Sequence, residues 1–322
     1  MNTVLRAAKP PVYPSRTMVV KSVVTQGIDA LKEKVRQNLT DVLTMLEWNV
    51  AHHIYVFRLS SDLFPHFTNP LVPQYSMDFA LDLLNRIGSY ARLHSVRLTF
   101  HPGQYNVIGS PVATAFANTV ADLSYHADVL DLMGCDADSV MVVHFGGTYG
   151  NKTETVGRWI EQFHTLPDKV KRRLVLENCE RSFNIEDCLA LSDVVNIPVV
   201  FDTHHHECYR INHPEEHLFD GSHYFEQVLH TWARRGIRPK FHVSEQGEGK
   251  VGHHSDFVNV LPRYMLTSPV PLDIMVEAKA KEQALFHLFK RYPAELDVPP
   301  NLACPAPPTP APSSKKRKAN NS

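Results

Sequence analysis

Val199-Val200-Phe201-Asp202-Thr203-His204-His205-His206 carries a short apolar run straight into an acid, a threonine and three consecutive imidazoles. A strand buried on both faces of a parallel sheet reads as such a run. Ligands in these sheets gather just beyond the strands' carboxyl ends. Asp202 offers a hard oxygen and the histidines offer nitrogen, donors that together suit a divalent transition metal.

The same pattern recurs along the chain. Strand-like runs occupy 54–60, 96–101, 139–144, 173–178, 239–244 and 273–279, and helical spacing covers 27–52, 77–93, 112–133, 152–166, 185–193, 222–235 and 280–291. Alternating strands and helices imply a parallel sheet covered by helices. The Gly-rich phosphate turn of a dinucleotide fold is absent, which disfavours an open doubly wound sheet and a nucleotide cofactor. Barrel enzymes instead take catalytic residues from the ends of several strands. Six of the seven runs here end in a potential ligand: His101, His144, Glu177, Asp202, His242 and Glu277. The expected fold is therefore an α/β, TIM (β/α)8-type barrel over residues 1–295.

Composition narrows the function. The 322 residues carry a net charge of -1, so bulk electrostatics names no partner, whereas 19 histidines are an excess that metal binding would explain. Five cysteines without a C-x-x-C pair point to free thiols in a reducing compartment. No apolar run approaches a membrane span. Residues 1–25 read as irregular and proline-punctuated. Their lack of acids resembles a mitochondrial transit peptide, but Pro10, Pro11 and Pro14 oppose the amphipathic helix it needs. Residues 296–322 are rich in Pro, Ala and Ser and read as a disordered tail. Its basic cluster, Lys315-Lys316-Arg317-Lys318, reads either as a nuclear-localisation or nucleic-acid patch or as a solubilising terminus.

A single histidine at a strand end is more often a hydrogen-bonded structural residue than a ligand. Repetition at equivalent places changes that balance. Strand side chains alternate faces, so His101, His144, Glu177, Asp202, His242 and Glu277 share an inward face, and Lys240 lies two residues before His242 on the same side. Burying so many acids and imidazoles without cations leaves costly unpaired groups. Roughly eight ligands at three to four per site suggest two or three ions. Lys240 beside cations should titrate low; it reads either as a neutral amine open to carbon dioxide or as the partner of a spare carboxylate. His101-Pro102-Gly103-Gln104-Tyr105 makes a tight turn after a strand. Its tip either packs over the barrel mouth or forms a wedge that stacks on unpaired bases.

Eight runs, in order, resemble the UV-damage endonuclease (UvdE) family: Phe57 to Pro65, His101 to Tyr105, Val143 to Gly147, Leu176 to Asn178, Asp202 to His205, Pro239 to Gln246, His254 to Asp256 and Met275 to Lys279. The resemblance implies a TIM barrel related to endonuclease IV that holds up to three metal ions, most often Mn²⁺, with Mg²⁺ or Zn²⁺ as alternatives. It implies as ligands His101, His144, Glu177, Asp202, His205, His242, His254 and Glu277. Strand alternation would choose His204 beside Asp202, whereas the family's D-x-x-H spacing chooses His205. Glu177, Lys240 and His242 are the implied catalytic set, with Lys240 at the place of a carboxylated lysine. Gln104 and Tyr105 fall on a damage-probing pair, and Asn2 on a polar, DNA-facing residue just after the family's first strand. Arg6, Lys9 and Arg16 read, from their charge, as phosphate contacts.

Three departures accompany the resemblance. The family's first strand lies before the residue matching Met1, which leaves an open seam unless residues 17–22 or another segment fill it. Asn69 replaces an imidazole near the site, and Cys179 stands where an acid usually follows Glu-Asn. The implied activity is metal-dependent nicking of double-stranded DNA 5′ to UV photoproducts. The alternatives are an abasic-site endonuclease, a metal-dependent sugar isomerase, and a damage-binding protein without catalysis.

Overall fold

All seven expected strands form. The computed structural model describes residues 2–306, so the basic cluster at 315–318, and the nuclear targeting expected from it, lie outside the described residues. In chain order, α1 (Thr3–Ala7), α2 (Val20–Gln26) and α3 (Ile28–Ala51) precede β1 (Val56–Arg58). Then α4 (Leu81–Leu93) leads to β2 (Arg97–Thr99), and α5 (Ala113–Leu132) to β3 (Met141–His144). Next, α6 (Lys152–Thr165) and α7 (Asp168–Lys171) lead to β4 (Leu174–Glu177), and α8 (Ile185–Val195) to β5 (Val199–Asp202). The last third holds α9 (Thr203–Asn212), α10 (Gly221–Ala233), β6 (Lys240–Val243), α11 (Arg263–Leu266), β7 (Asp273–Val276) and α12 (Glu282–Arg291).

Strands β3 to β7 pair in sequence order and in parallel, and β1 pairs with β2. Phe100 joins the two sheets: its N–H donates to the Val140 carbonyl at 2.9 Å, and its carbonyl accepts from Val142 at 3.0 Å. The result is a TIM-type β/α barrel. Register then fixes the site, because His144 lies opposite Glu177 and Asp202 opposite His242 at one end of the ladder. Helix spacing explains the outer layer. In α3, Leu31, Val35, Leu39, Val42 and Leu46 recur every three or four residues, and all are buried. A Cβ at Gly88 of α4 would stand 1.6 Å from the Met133 carbonyl oxygen, so that packing admits only glycine.

The barrel is open between β1 and β7, where no ladder forms among the described residues. Every residue of β4, β5 and β6 is buried, while β1 and β7 are partly exposed. A cavity of about 710 Å³ fills the gap, lined by Phe57 and Arg58 on one side and Ile274 and Met275 on the other. A second, of about 640 Å³, shares Val56 and Val276 with it and continues to Pro269 and Pro271. Residues 17–22 do not fill this seam. Val20–Gln26 is helical and packs on α3 instead. The irregular reading of residues 1–25 is corrected in the same way, since α1 and α2 both form there. Helix α1 is held from far along the chain: the Thr3 N–H donates to the Glu282 carboxylate at 2.8 and 2.9 Å, and Asn2 caps its first turn. At the other terminus Leu296 packs against the core, and the Pro305 carbonyl accepts from Gln283 at 3.1 Å.

Candidate metal centre

Glu177, at the end of β4 and 1% exposed, is the centre of the site. Imidazoles from three other strands converge on it. His101 Nε2 lies 2.9 Å from Oε2, His144 Nε2 3.4 Å from the same oxygen, and His242 Nδ1 2.6 Å from Oε1. His205 Nδ1 is 3.9 Å from Glu177 Oε1 and 3.9 Å from Asp202 Oδ2. Glu277 extends the cluster, 3.7 Å from His242 and 3.9 Å from His254. The eight residues expected as ligands therefore form one continuous set at the carboxyl end of the barrel. Two triads, His101–Glu177–His242 and His144–Glu177–His205, each bring three donor atoms within 4.8 Å of one another. They share the Glu177 carboxylate, so both sets of donors converge on one buried anion.

Local structure decides between His204 and His205. Asp202 Oδ1 accepts from the N–H groups of both residues at 2.8 Å, which caps α9 and ends the strand. From there the chain turns helically, and the third residue after Asp202 returns to the site. Asn178 braces this turn, donating to the Asp202 carbonyl at 3.0 Å and accepting from its N–H at 2.9 Å. The Asn178 carbonyl also lies 3.0 Å from His205 Nδ1. His204 faces away: Cys208 Sγ lies 3.5 Å from its Nε2, and the His254 ring packs edge-on with centroids 5.5 Å apart. Strand alternation does not extend to His204, because the strand stops at the acid.

The electrostatics favour added positive charge. Burial alone would raise the Glu177 carboxyl, but His242, His144 and His101 pull it well below the ordinary range. Burial likewise opposes ionisation of Glu277, yet His242 and Arg58 bring it down to about 2. His205 is driven down by burial but up more strongly by Asp202 and Glu177, reaching about 9. Burial, then the neighbouring Lys240 charge, lowers His242 to about 4. Burial, then Arg58, lowers the fully buried Lys240 to about 7. Lys240 Nζ and His242 Nε2 are 2.5 Å apart; with His242 Nδ1–H directed at Glu177, Nε2 accepts from the amine.

Two buried polar atoms, Asp202 Oδ2 and His144 Nδ1, have no hydrogen-bond partner. Asp202 Oδ2, left unpaired 3.9 Å from His205 Nδ1, is a buried hard donor beside imidazole nitrogens that a divalent cation would satisfy, so the residues fit the expected group.

Gln104 and Tyr105 are exposed on the loop after β2. Arg6 is also exposed, stacked 3.6 Å from the Tyr13 ring centroid, whereas Asn2 is only 4% exposed and its Oδ1 accepts from Leu5 at 2.8 Å. Asn69 donates to His66 Nδ1 at 3.1 Å, and Cys179 Sγ accepts from Ser182 at 3.2 Å. Arg58 was not singled out by sequence, although its Nη1 donates to Glu277 at 2.5 Å. Only its place at the end of a strand could have marked it.

The sequence pattern of the UV-endonuclease UvdE family matches residues 1–303. A relative from Acanthamoeba polyphaga mimivirus is 35% identical over 300 residues, covering 90% of this chain and 88% of that protein. The UV-damage endonuclease of Schizosaccharomyces pombe is 38% identical over 315 residues, 95% of this chain. The chain spans about half the length of that relative, 51%. The crystal structure of SacUVDE superposes with a TM-score of 0.78 at 30% identity, covering 90% of this chain and 96% of that one. Endonuclease IV from Thermus thermophilus, at 15% identity and a TM-score of 0.53, covers 80% of this chain and 94% of its own and shares the barrel alone. With a barrel of this type, a carboxylate-centred imidazole cluster at its mouth and a family pattern running through nearly the whole chain, the protein belongs to the UV-endonuclease UvdE family.

Proposed function

We propose that this chain is a metal-dependent endodeoxyribonuclease that nicks double-stranded DNA 5′ to UV photoproducts, both cyclobutane dimers and 6-4 products, leaving 3′-hydroxyl and 5′-phosphate ends. The observation that carries this reading is the Glu177 carboxylate, shared by two triads of donors from different strand ends. His101, Glu177 and His242 would hold one divalent cation, and His144, Glu177 and His205 a second. Asp202, His254 and Glu277 would add donors beside these two positions, and a third cation would draw on them. Mixed imidazole and carboxylate donors suit Mn²⁺ first, with Zn²⁺ and Mg²⁺ as alternatives. When bound, such cations supply Lewis acidity toward phosphoryl oxygens and acidify coordinated water.

The protein's own groups have separate tasks. Glu177 stays anionic in a buried site, which keeps the cluster attractive to cations and, through them, to a phosphodiester. Lys240 acts through His242, holding its Nε2 and so directing Nδ1 into the site. As an amine lowered to about 7, it is also open to carbon dioxide at neutral pH. Gln104 and Tyr105 supply the wedge: damaged steps stack poorly, so extruding them costs less than extruding intact pairs. Arg6 and Lys9, both exposed, would meet phosphates.

A nicking assay with Mn²⁺ on irradiated and intact duplex tests this reading. Cutting of the irradiated strand, abolished by chelator, is expected. Equal cutting of both duplexes, or of neither, would count against it. Binding to irradiated DNA without cutting would identify a damage-binding protein instead, and preference for an abasic duplex would identify an abasic-site endonuclease.

A further inference from the structure

The loop that carries Gln104 and Tyr105 is pinned from below by buried polar groups. Asn106 Nδ2 donates to Asp122 Oδ2 at 2.8 Å and to the Gly103 carbonyl at 3.0 Å. The Asn106 N–H closes the same turn on Gly103 at 2.9 Å. Asp122, in α5, has its own support one turn on: His126 Nδ1 donates to the Asp122 carbonyl at 2.7 Å, and its Nε2 accepts from the Ser61 hydroxyl at 2.9 Å. Just past the turn, the Val107 N–H donates to Thr119 Oγ1 at 3.0 Å.

Asn106, Asp122 and His126 are 3%, 6% and 0% exposed, against 63% for Tyr105 on the loop they pin. Asn106 Nδ2 is paired twice, while its buried Oδ1 has no partner; buried polar groups that are paired fix one geometry more sharply than apolar packing does. The turn is tight for the same reason: a Cβ at Gly103 would come 2.4 Å from Tyr105 Cε1, so the ring lies against the glycine. None of these hydrogen bonds involves the eight residues of the metal centre.

We propose that Asn106 and Asp122 are positioning residues that hold Gln104 and Tyr105 in the conformation that enters the duplex at a lesion. They thereby set how well damaged DNA is distinguished from intact DNA. This rests on the probing role given to Gln104 and Tyr105 above. A wedge ordered in advance loses less freedom on binding, so its gain appears in substrate affinity rather than in the chemical step.

The experiment uses the full chain with Mn²⁺, with Tyr105 replaced by 3-fluorotyrosine for the spectroscopic arm. Asn106→Ala and Asp122→Ala should raise KM for irradiated duplex about tenfold, with kcat and Mn²⁺ affinity unchanged. Asp122→Asn, which keeps an acceptor oxygen, should stay within about twofold of the parent KM. In Asn106→Ala the fluorine line should shift toward that of a mobile, solvated ring. An unchanged KM with an unchanged fluorine line overturns the proposal. So does a joint loss of kcat, KM and Mn²⁺ affinity in Asp122→Asn, which would mark a merely structural network. Should the parent chain fail to cut irradiated DNA, the functional reading falls, while the fluorine line still decides the clasp: mobile in Asn106→Ala supports it, unchanged refutes it.

Discussion

Arg58 and Glu277 join the two strands that flank the open seam, with Nη1 donating to Oε1 at 2.5 Å from the end of β1 to the residue after β7. The same carboxylate belongs to the candidate metal centre, so the rim contact ties barrel closure to the site. Both side chains are partly exposed, at 39% and 15%, which limits the pair to about 1 kcal/mol. Arg58→Met should lower unfolding free energy at pH 7 by roughly that amount. The sign with pH follows from Glu277, whose folded carboxyl is depressed to about 2. Its contribution is present above the ordinary carboxylate range and is lost as pH falls toward 2. Urea titrations of both proteins at descending pH should therefore converge.

At the other end of the barrel, Arg97 of β2 meets Asp273 of β7 at 2.8 Å, with the side chains only 6% and 10% exposed. Arg97 Nη2 already lacks a partner. Asp273→Ala would strand a buried guanidinium, and a loss of about 3–5 kcal/mol is expected. Replacing both residues, Arg97→Met with Asp273→Leu, should restore most of it, because buried pairs contribute little over apolar packing. Chemical denaturation of the two single variants and the double variant measures this. Equal losses in the Asp273→Ala and double variants would show that the charge was not the cause.

The strands and their terminal donors were legible because each is a local signal: a short apolar run followed by an acid or imidazole. Glu177 and His242 could thus be placed on one face before their contact was known. Contacts made across long sequence separations were not legible. Helix α1 depends on Glu282, 279 residues from Thr3, and nothing within Thr3–Ala7 announces it. Asp202 carried a readable cap signal, but the apolar run before it suggested continued alternation and so favoured His204. The Asn106–Asp122 clasp joins a loop to a helix face, and neither residue stands out within its own segment.

The two histidines after Asp202 offer a clean discrimination. His205→Ala removes an imidazole 3.9 Å from both Glu177 and Asp202, and should lower Mn²⁺ affinity by more than about tenfold. His204→Ala removes a ring that packs on Cys208 and His254, and should leave affinity within about twofold while lowering thermal stability. Manganese titration followed by electron paramagnetic resonance reads both. A larger loss in His204→Ala would return the ligand role to the residue that strand alternation favours.

Glu177→Gln tests the whole centre without changing its shape. Four imidazoles lie within 3.9 Å of this buried carboxylate, and it is common to both candidate triads. Neutralising it removes an anion from each cation position at once and leaves His205 with less support against burial, so the imidazole should fall from about 9. Mn²⁺ affinity should drop by more than about 100-fold. The thermodynamic readout is independent of nuclease activity. Saturating Mn²⁺, at about 100 times Kd, should stabilise the parent protein by about 2.7 kcal/mol, and the same concentration should leave Glu177→Gln almost unchanged. A full Mn²⁺-dependent rise in Tm in Glu177→Gln would place the cations elsewhere and take the shared-carboxylate site with it.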